Sequence, residues 1–156
     1  NAAHRKLAQW EAERKLQAVI TQNIDGLHQK AGSRRVLELH GSVLRNHCMK
    51  CGASYGVDAI VNSEGVPRCS CGGIIKPDVV LYEEGLDEDV LMQSVSAIRQ
   101  ADVLIIGGTS LTVYPAAGLV RYYRGHKLVV INKTRLPMAG ADLVIEGAIG
   151  QVLGQL

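Results

Sequence analysis

The sequence has no phenylalanine, one tryptophan and five tyrosines, and no apolar run that approaches the roughly 18 residues a spanning helix needs. It also lacks an excess of either charge, since 17 basic against 15 acidic residues leave a formal net charge of +2. The charges are dispersed along the chain, so no electrostatic footprint nominates a nucleic acid or a membrane surface as partner. Low-complexity tracts are missing as well. With 47% hydrophobic and 21% charged residues, the 156-residue chain can bury one core and reads as a soluble globular domain. No charged-then-apolar leader opens it, which makes the cytoplasm the expected compartment. The first residue is Asn1, and the opening NAAHRKLAQWEAERKL reads as the middle of a longer protein.

What is present is alternation. Asn1 is a plausible N-cap, and Ala3, Leu7 and Trp10 recur at helical spacing, which predicts a first helix. Short strands are expected at 17–21 and 36–40, with a helical turn over 25–30 between them closed by Gly32. Residues 79–82 read as a strand, and 87–99 as a helix with Leu91, Val95 and Ile98 on one face. Val103–Ile106 and Leu128–Ile131 are continuous aliphatic runs, the pattern of parallel strands covered on both faces. Pro115 is expected to open a helix running to about Tyr123, with Gly125 as its stop. A strand at 142–145 and a helix over 147–156 complete a β-α-β-α order, which implies a doubly wound parallel sheet.

One segment breaks this rhythm. Over 44–76 the periodicity fades, and all four cysteines fall there, as C-x2-C (Cys48, Cys51), seventeen residues, then C-x-C (Cys69, Cys71). Two close pairs separated by such a loop bring four thiolates to one point, the tetrahedral set that zinc takes. Two disulfides or four inert thiols are the alternative, disfavoured in a cytosolic chain. The second pair is one residue shorter than the usual C-x2-C, which makes His47 the substitute ligand should one cysteine not reach. With all four positions filled by protein, the metal is expected to be structural.

In VITQNIDGLH, at 19–28, a buried-strand pattern turns abruptly polar. Three other strand ends do the same: LELHG at 37–41, IIGGTSL at 105–111 and VVINK at 129–133. In an open α/β sheet, ligands bind outside the carboxyl ends of the strands. Each motif alone is compatible with a cap, a turn or a hydrogen-bonded spectator histidine. Their joint occurrence on separate strand ends favours a nucleotide site.

TQNIDGLH, LHG, the cysteine-pair module, KPDVV, GTSL and INK, in this order, closely resemble the sirtuin family of NAD-dependent protein deacylases, over essentially the whole chain. The resemblance implies a Rossmann-type NAD-binding domain over 1–43 and 77–156, interrupted by a zinc-binding module over 44–76. It also implies an acyl-lysine protein or peptide substrate that enters between them. Gln22, Asn23, Ile24 and Asp25 would then lie beside the nicotinamide and its ribose, with Asp25 on the carboxamide and Asn23 and Gln22 organising ribose hydroxyls and a water. His40 matches the family's catalytic base, which acts on a ribose hydroxyl. Thr109 and Ser110, after Gly107, would meet phosphate and ribose oxygens. Asn132 and Lys133 would meet the adenosine ribose, and Ala148 and Ile149 the adenine. Val79 and Val80 would offer backbone to an extended peptide, and Leu81 would help wall the lysine tunnel.

The implied reaction is substitution at the ribose anomeric carbon, which consumes NAD and one water and yields nicotinamide, free lysine and O-acyl-ADP-ribose. Two departures qualify the likeness. Leu81-Tyr82-Glu83-Glu84 stands where the family commonly has Phe-Phe-Gly-Glu, and the family's glycine phosphate loop and Asp-Phe-Arg loop precede NAAH and have no counterpart here. The chain alone is therefore expected to be impaired in deacylation. Mono-ADP-ribosyl transfer to protein and a non-catalytic NAD sensor are the alternative functions. A zinc-ribbon nucleic-acid module fits poorly, because basic and aromatic residues are only scattered over 44–76.

Overall fold

The computed structural model describes residues 1–112, 114, 116–135, 138 and 140–156, apart from the side chain of residue 116. In chain order the elements are α1 (Ala2–Ala12), β1 (Val19–Thr21), α2 (Leu27–Lys30), β2 (Val36–Glu38), β3 (Gly41–Cys48), β4 (Ser54–Gly56), α3 (Asp58–Val61) and β5 (Ile75–Val79). They continue as α4 (Glu88–Gln100), β6 (Val103–Gly107), α5 (Ala116–Leu119) with a 3-10 turn (Val120–Tyr122), β7 (Lys127–Asn132), β8 (Leu143–Glu146) and α6 (Ile149–Gly154). Two compact units result: Asn1–Ile20, Leu27–Leu37 and Asp87–Leu156 make the first, and Thr21–Gly26 with Glu38–Leu86 the second. The segment 44–76 lies within the second. Strands β1 and β2 pair with each other. Among the described residues, no helix is long and apolar enough to cross a membrane.

The first unit is built on the parallel sheet β6-β7-β8. Alternate residues of its strands face opposite ways. Ile105, Val129 and Ile131 pack with Ala3, Leu7 and Trp10 of α1 and with Ile149 and Leu153 of α6. Leu104, Ile106, Leu128 and Val130 pack on the other side with Val120 and Tyr123. Both faces are thus covered, the Rossmann-like α/β arrangement expected from the aliphatic runs. Val130 and Leu153 are shielded almost completely, and burial of side chains this size contributes about 1.5–3 kcal/mol each. Helix starts follow local chemistry: Asn1 Oδ1 accepts from His4 N at 3.2 Å, and Asp87 Oδ1 accepts from Val90 N at 3.0 Å.

The second unit carries the antiparallel sheet β4-β3-β5 beside the cysteine loops. Here the structure departs from expectation. Residues 41–48 form an eight-residue strand that the fading periodicity concealed, and the strand read at 79–82 lies earlier, at Ile75–Val79. Pro77 explains the shift, since a proline argues against a central strand; β5 is an edge strand, and Pro77 sits opposite Asn46 where the register is broken. The helix expected from Pro115 appears as α5 and one 3-10 turn, while Pro115 itself lies outside the described residues. The last helix is shorter than expected, Ile149–Gly154, with Ala148 as its cap.

Candidate functional site

Among the described residues, three places concentrate chemistry. The first is the cysteine cluster of the second unit. Residues 48–52 and 69–72 form two similar knuckles, closed by Gly52 N donating to Cys48 O at 2.9 Å and Gly72 N to Cys69 O at 2.8 Å. Both glycines have positive φ, +73° and +80°, which a side chain rarely adopts. The knuckles bring all four Sγ atoms within 4.8 Å of one another. Cys48 and Cys71 are 3.5 Å apart and Cys51 and Cys69 3.6 Å, close to the sulfur–sulfur edge of about 3.8 Å that zinc–sulfur bonds of about 2.3 Å demand.

His47 does not join them. Its Nδ1 pairs with Asp78 Oδ1 across β3 and β5, so the cysteines alone supply four ligands. Their electrostatics ask for a cation. Cys69 is pulled down to about 6, first by the Cys71 backbone N–H and then by the Tyr55 hydroxyl, which donates to its Sγ at 3.0 Å. At Cys71 the Gly73 N–H works in the same direction, but the three neighbouring sulfurs together push that thiol up to about 12. Four thiols this close cannot all ionise without a positive charge among them; a dication removes the conflict. The donor set fits zinc. All four cysteines are free of disulfides.

The second place is a hollow of about 420 Å³ in the same unit, lined by Gln22, Asn23, Ile24, Asp25, His40, Val79 and Val80. Backbone bonds hold its parts: Leu39 N donates to Thr21 O at 2.9 Å, Val43 N to Ile24 O at 3.1 Å, and Val80 N to His40 O at 3.1 Å. Gly41, beside His40, has φ +75°, and a Cβ there would fall on the Asp78 carbonyl. The chain therefore turns away from His40 into β3 only because residue 41 has no side chain. His40 Nδ1 lies 3.2 Å from Gln22 O. A carbonyl oxygen can only accept, so Nδ1 carries the proton and Nε2 is left as the basic nitrogen. Leu81 is outside this lining and 55% exposed.

The third place is a hollow of about 680 Å³ in the first unit, where Thr109, Ser110, Asn132, Lys133, Ala148 and Ile149 meet. Gly107 lies behind it: a Cβ at this position would run into Ile149 Cδ1, so the glycine admits the start of α6 against β6. Ser110 Oγ and Thr112 Oγ1 are 2.7 Å apart, and Asn132 Nδ2 donates to Thr134 O at 3.0 Å. Gly108 of the IIGGTSL strand end also lines the hollow, as does Thr134, which was not singled out from the sequence. Tyr55 of the cysteine cluster was not legible either, because nothing in the C-x2-C spacing marks the residue four positions beyond it.

Similarity to known proteins accords with these features. The Sir2 family model matches residues 1–115. The chain is 59% identical to an NAD-dependent protein deacetylase of Clostridium acetobutylicum, over 98% of this chain and 64% of that protein. It is 59% identical to one of Clostridium perfringens, over 100% of this chain and 65% of that protein. It therefore spans less than two thirds of the length of these relatives. Among solved structures it resembles Sir2 bound to an acetylated peptide, with TM-score 0.91 and 39% identity over 99% of this chain and 68% of that one. It also resembles Sir2 with the inhibitor EX-527, 2'-O-acetyl-ADP-ribose and deacetylated p53 peptide, with TM-score 0.90 and 38% identity over 99% of this chain and 69% of that one. A match across three quarters of the chain, on a framework with the same fold, places this chain in the Sir2 family.

Proposed function

We propose that this chain belongs to an enzyme that removes acyl groups from protein lysines at the expense of NAD. The observation that carries this reading is the placement of His40, whose Nδ1 lies 3.2 Å from Gln22 O on the wall of the hollow. Gln22 O holds the Nδ1 proton, and Nε2 stands as a base in a hollow lined by amide and carboxylate side chains. An imidazole with one nitrogen anchored is suited to take a proton from a ribose hydroxyl at the other. The relatives of highest identity described above are named NAD-dependent protein deacetylases, and the solved neighbours include complexes with NAD and with acetylated and propionylated peptides.

The roles follow residue by residue. Asp25 holds the nicotinamide carboxamide, Gln22 and Asn23 order the ribose hydroxyls and a water, and Ile24 packs on the ring. Thr109 and Ser110 receive phosphate and ribose oxygens, while Asn132 and Lys133 take the adenosine ribose, with Ala148 and Ile149 against the adenine. A hollow of about 680 Å³ with hydroxyls, an amide and an apolar wall suits a nucleoside. Bound NAD supplies an anomeric carbon with nicotinamide as leaving group, and it accepts the acyl group as it leaves lysine. The protein orients both partners and takes one proton at His40 Nε2. Val79 and Val80, at the end of the edge strand β5, offer backbone to an extended peptide, and Leu81 contributes apolar surface for the lysine stem. Residues 1–43 and 77–156 form the cofactor-binding domain, and 44–76 the metal-binding module. The four reduced cysteines suit a reducing compartment, and the cytoplasm is the location that fits.

The test is mass spectrometry of an acetyl-lysine peptide incubated with the full-length protein and NAD. Loss of the acetyl mass together with acetylated ADP-ribose is the expected result. Gain of ADP-ribose on the peptide, or an unchanged peptide despite NAD binding, would overturn the reading in favour of transfer or sensing.

A further inference from the structure

We propose that Tyr55 is a positioning residue of the metal centre, its hydroxyl orienting Cys69 Sγ and drawing charge off that sulfur when metal is bound. This rests on the reading of the four cysteines as a zinc site. Four thiolates around one dication leave two net negative charges on the cluster, and the surrounding groups oppose that excess. Lys50 N donates to Cys48 Sγ at 3.4 Å, Lys50 Nζ reaches Cys71 O at 3.4 Å, and Arg68 Nη1 reaches Gly72 O at 3.2 Å. Tyr55 gives the shortest of the contacts to sulfur, 3.0 Å from Oη to Cys69 Sγ, whereas the Ser70 hydroxyl lies 3.9 Å from the same sulfur.

The backbone prepares this contact. Tyr55 is the middle residue of β4, paired opposite Asn46 of β3, and its ring packs against the cluster of Cys48, Cys69 and Ile75. A phenol ring in such a setting has one polar atom to satisfy, and the sulfur is where it finds its partner. Packing alone would be served as well by a ring without the hydroxyl. Outer partners of this kind orient a ligand and tune its basicity, and removing one commonly costs about 10–100-fold in metal affinity.

The experiment follows zinc transfer from the full-length, zinc-loaded protein to an excess of a chromophoric chelator. Tyr55→Phe keeps the ring and its packing, and zinc release about tenfold faster than in the unaltered protein is expected, with the far-UV circular dichroism unchanged. Tyr82→Phe, on a fully exposed side chain of the same unit, should release zinc at the original rate. An unchanged rate for Tyr55→Phe overturns the proposal. Should that variant not fold, the unaltered protein loaded with NMR-active cadmium decides: a coupling between cadmium and the Tyr55 hydroxyl proton supports the contact, and its absence overturns it. Absence of bound metal in the purified wild type would instead overturn the zinc reading, and the role of Tyr55 with it.

Discussion

Gly41→Ala is the perturbation for which the structure gives the sharpest magnitude. Gly41 follows His40, opens β3 and pairs with Val79 of β5. Its φ of +75° costs any residue with a Cβ about 1–2 kcal/mol. A second cost adds to this, because the new Cβ would fall almost on the Asp78 carbonyl oxygen and 2.9 Å from its carbon. These are backbone atoms of β5, which cannot swing aside as a side-chain tip can, and overpacking of this sort costs about 1–3 kcal/mol. The sum is about 2–5 kcal/mol, a large share of the roughly 5–15 kcal/mol that holds a domain folded. Gly65→Ala is the control: its φ is +76°, yet no atom lies within 4 Å of its Cβ, so only the backbone cost of about 1–2 kcal/mol applies. Urea denaturation of the zinc-saturated full-length protein should rank the midpoints wild type, then Gly65→Ala, then Gly41→Ala. A Gly41→Ala midpoint equal to or above that of Gly65→Ala would refute the steric argument.

Three further outcomes follow from the same unit. In Gly73→Ala the Cβ would lie 2.6 Å from Cys48 Sγ and 2.7 Å from Lys50 Cβ, so the purified variant should hold well under one zinc per chain by elemental analysis, and full occupancy would contradict the packing described. Stripping zinc from the wild type should speed amide exchange across 38–86 while β6 and β7 stay protected, because structural zinc contributes folding free energy directly. The Leu81 N–H and then the Lys76 ammonium hold the Glu84 carboxyl below its ordinary value, at 2.9 and 3.2 Å. A group with a lowered folded pKa stabilises above its unfolded value and loses that contribution as pH falls through the folded one. The loop over 81–84 should therefore stay ordered down to a pH below the ordinary carboxylate range, and an NMR titration midpoint for Glu84 at or above the ordinary value would contradict the two bonds.

Legibility in the sequence followed burial pattern. Strands β6 and β7 were readable because both faces of their sheet are covered, which forces unbroken aliphatic runs such as Leu128–Ile131. Strand β3 was not, because its fully buried positions include Ser42 and Asn46, polar residues that no hydrophobic template selects. Ser42 Oγ accepts from Leu44 N at 3.2 Å and Asn46 Nδ2 donates to Val43 O at 3.4 Å, so local bonds offset part of the cost of their burial. The metal cluster was readable as spacing, since knuckle geometry fixes where cysteines must stand, and the exclusion of His47 was not, because its partner Asp78 is thirty-one residues away. The same holds for the hold on His40: the histidine is visible as a letter, whereas the Gln22 carbonyl that sets its tautomer is a backbone atom that any residue type would supply.

The central claim is that His40 acts as a base on the ribose and is not needed to bind NAD or to part nicotinamide from it. His40→Ala in the full-length protein, assayed with NAD and an acetyl-lysine peptide, tests it directly. Nicotinamide exchange that persists while free lysine peptide ceases to form is the predicted result. Undiminished deacetylation by the variant would contradict the role assigned to Nε2.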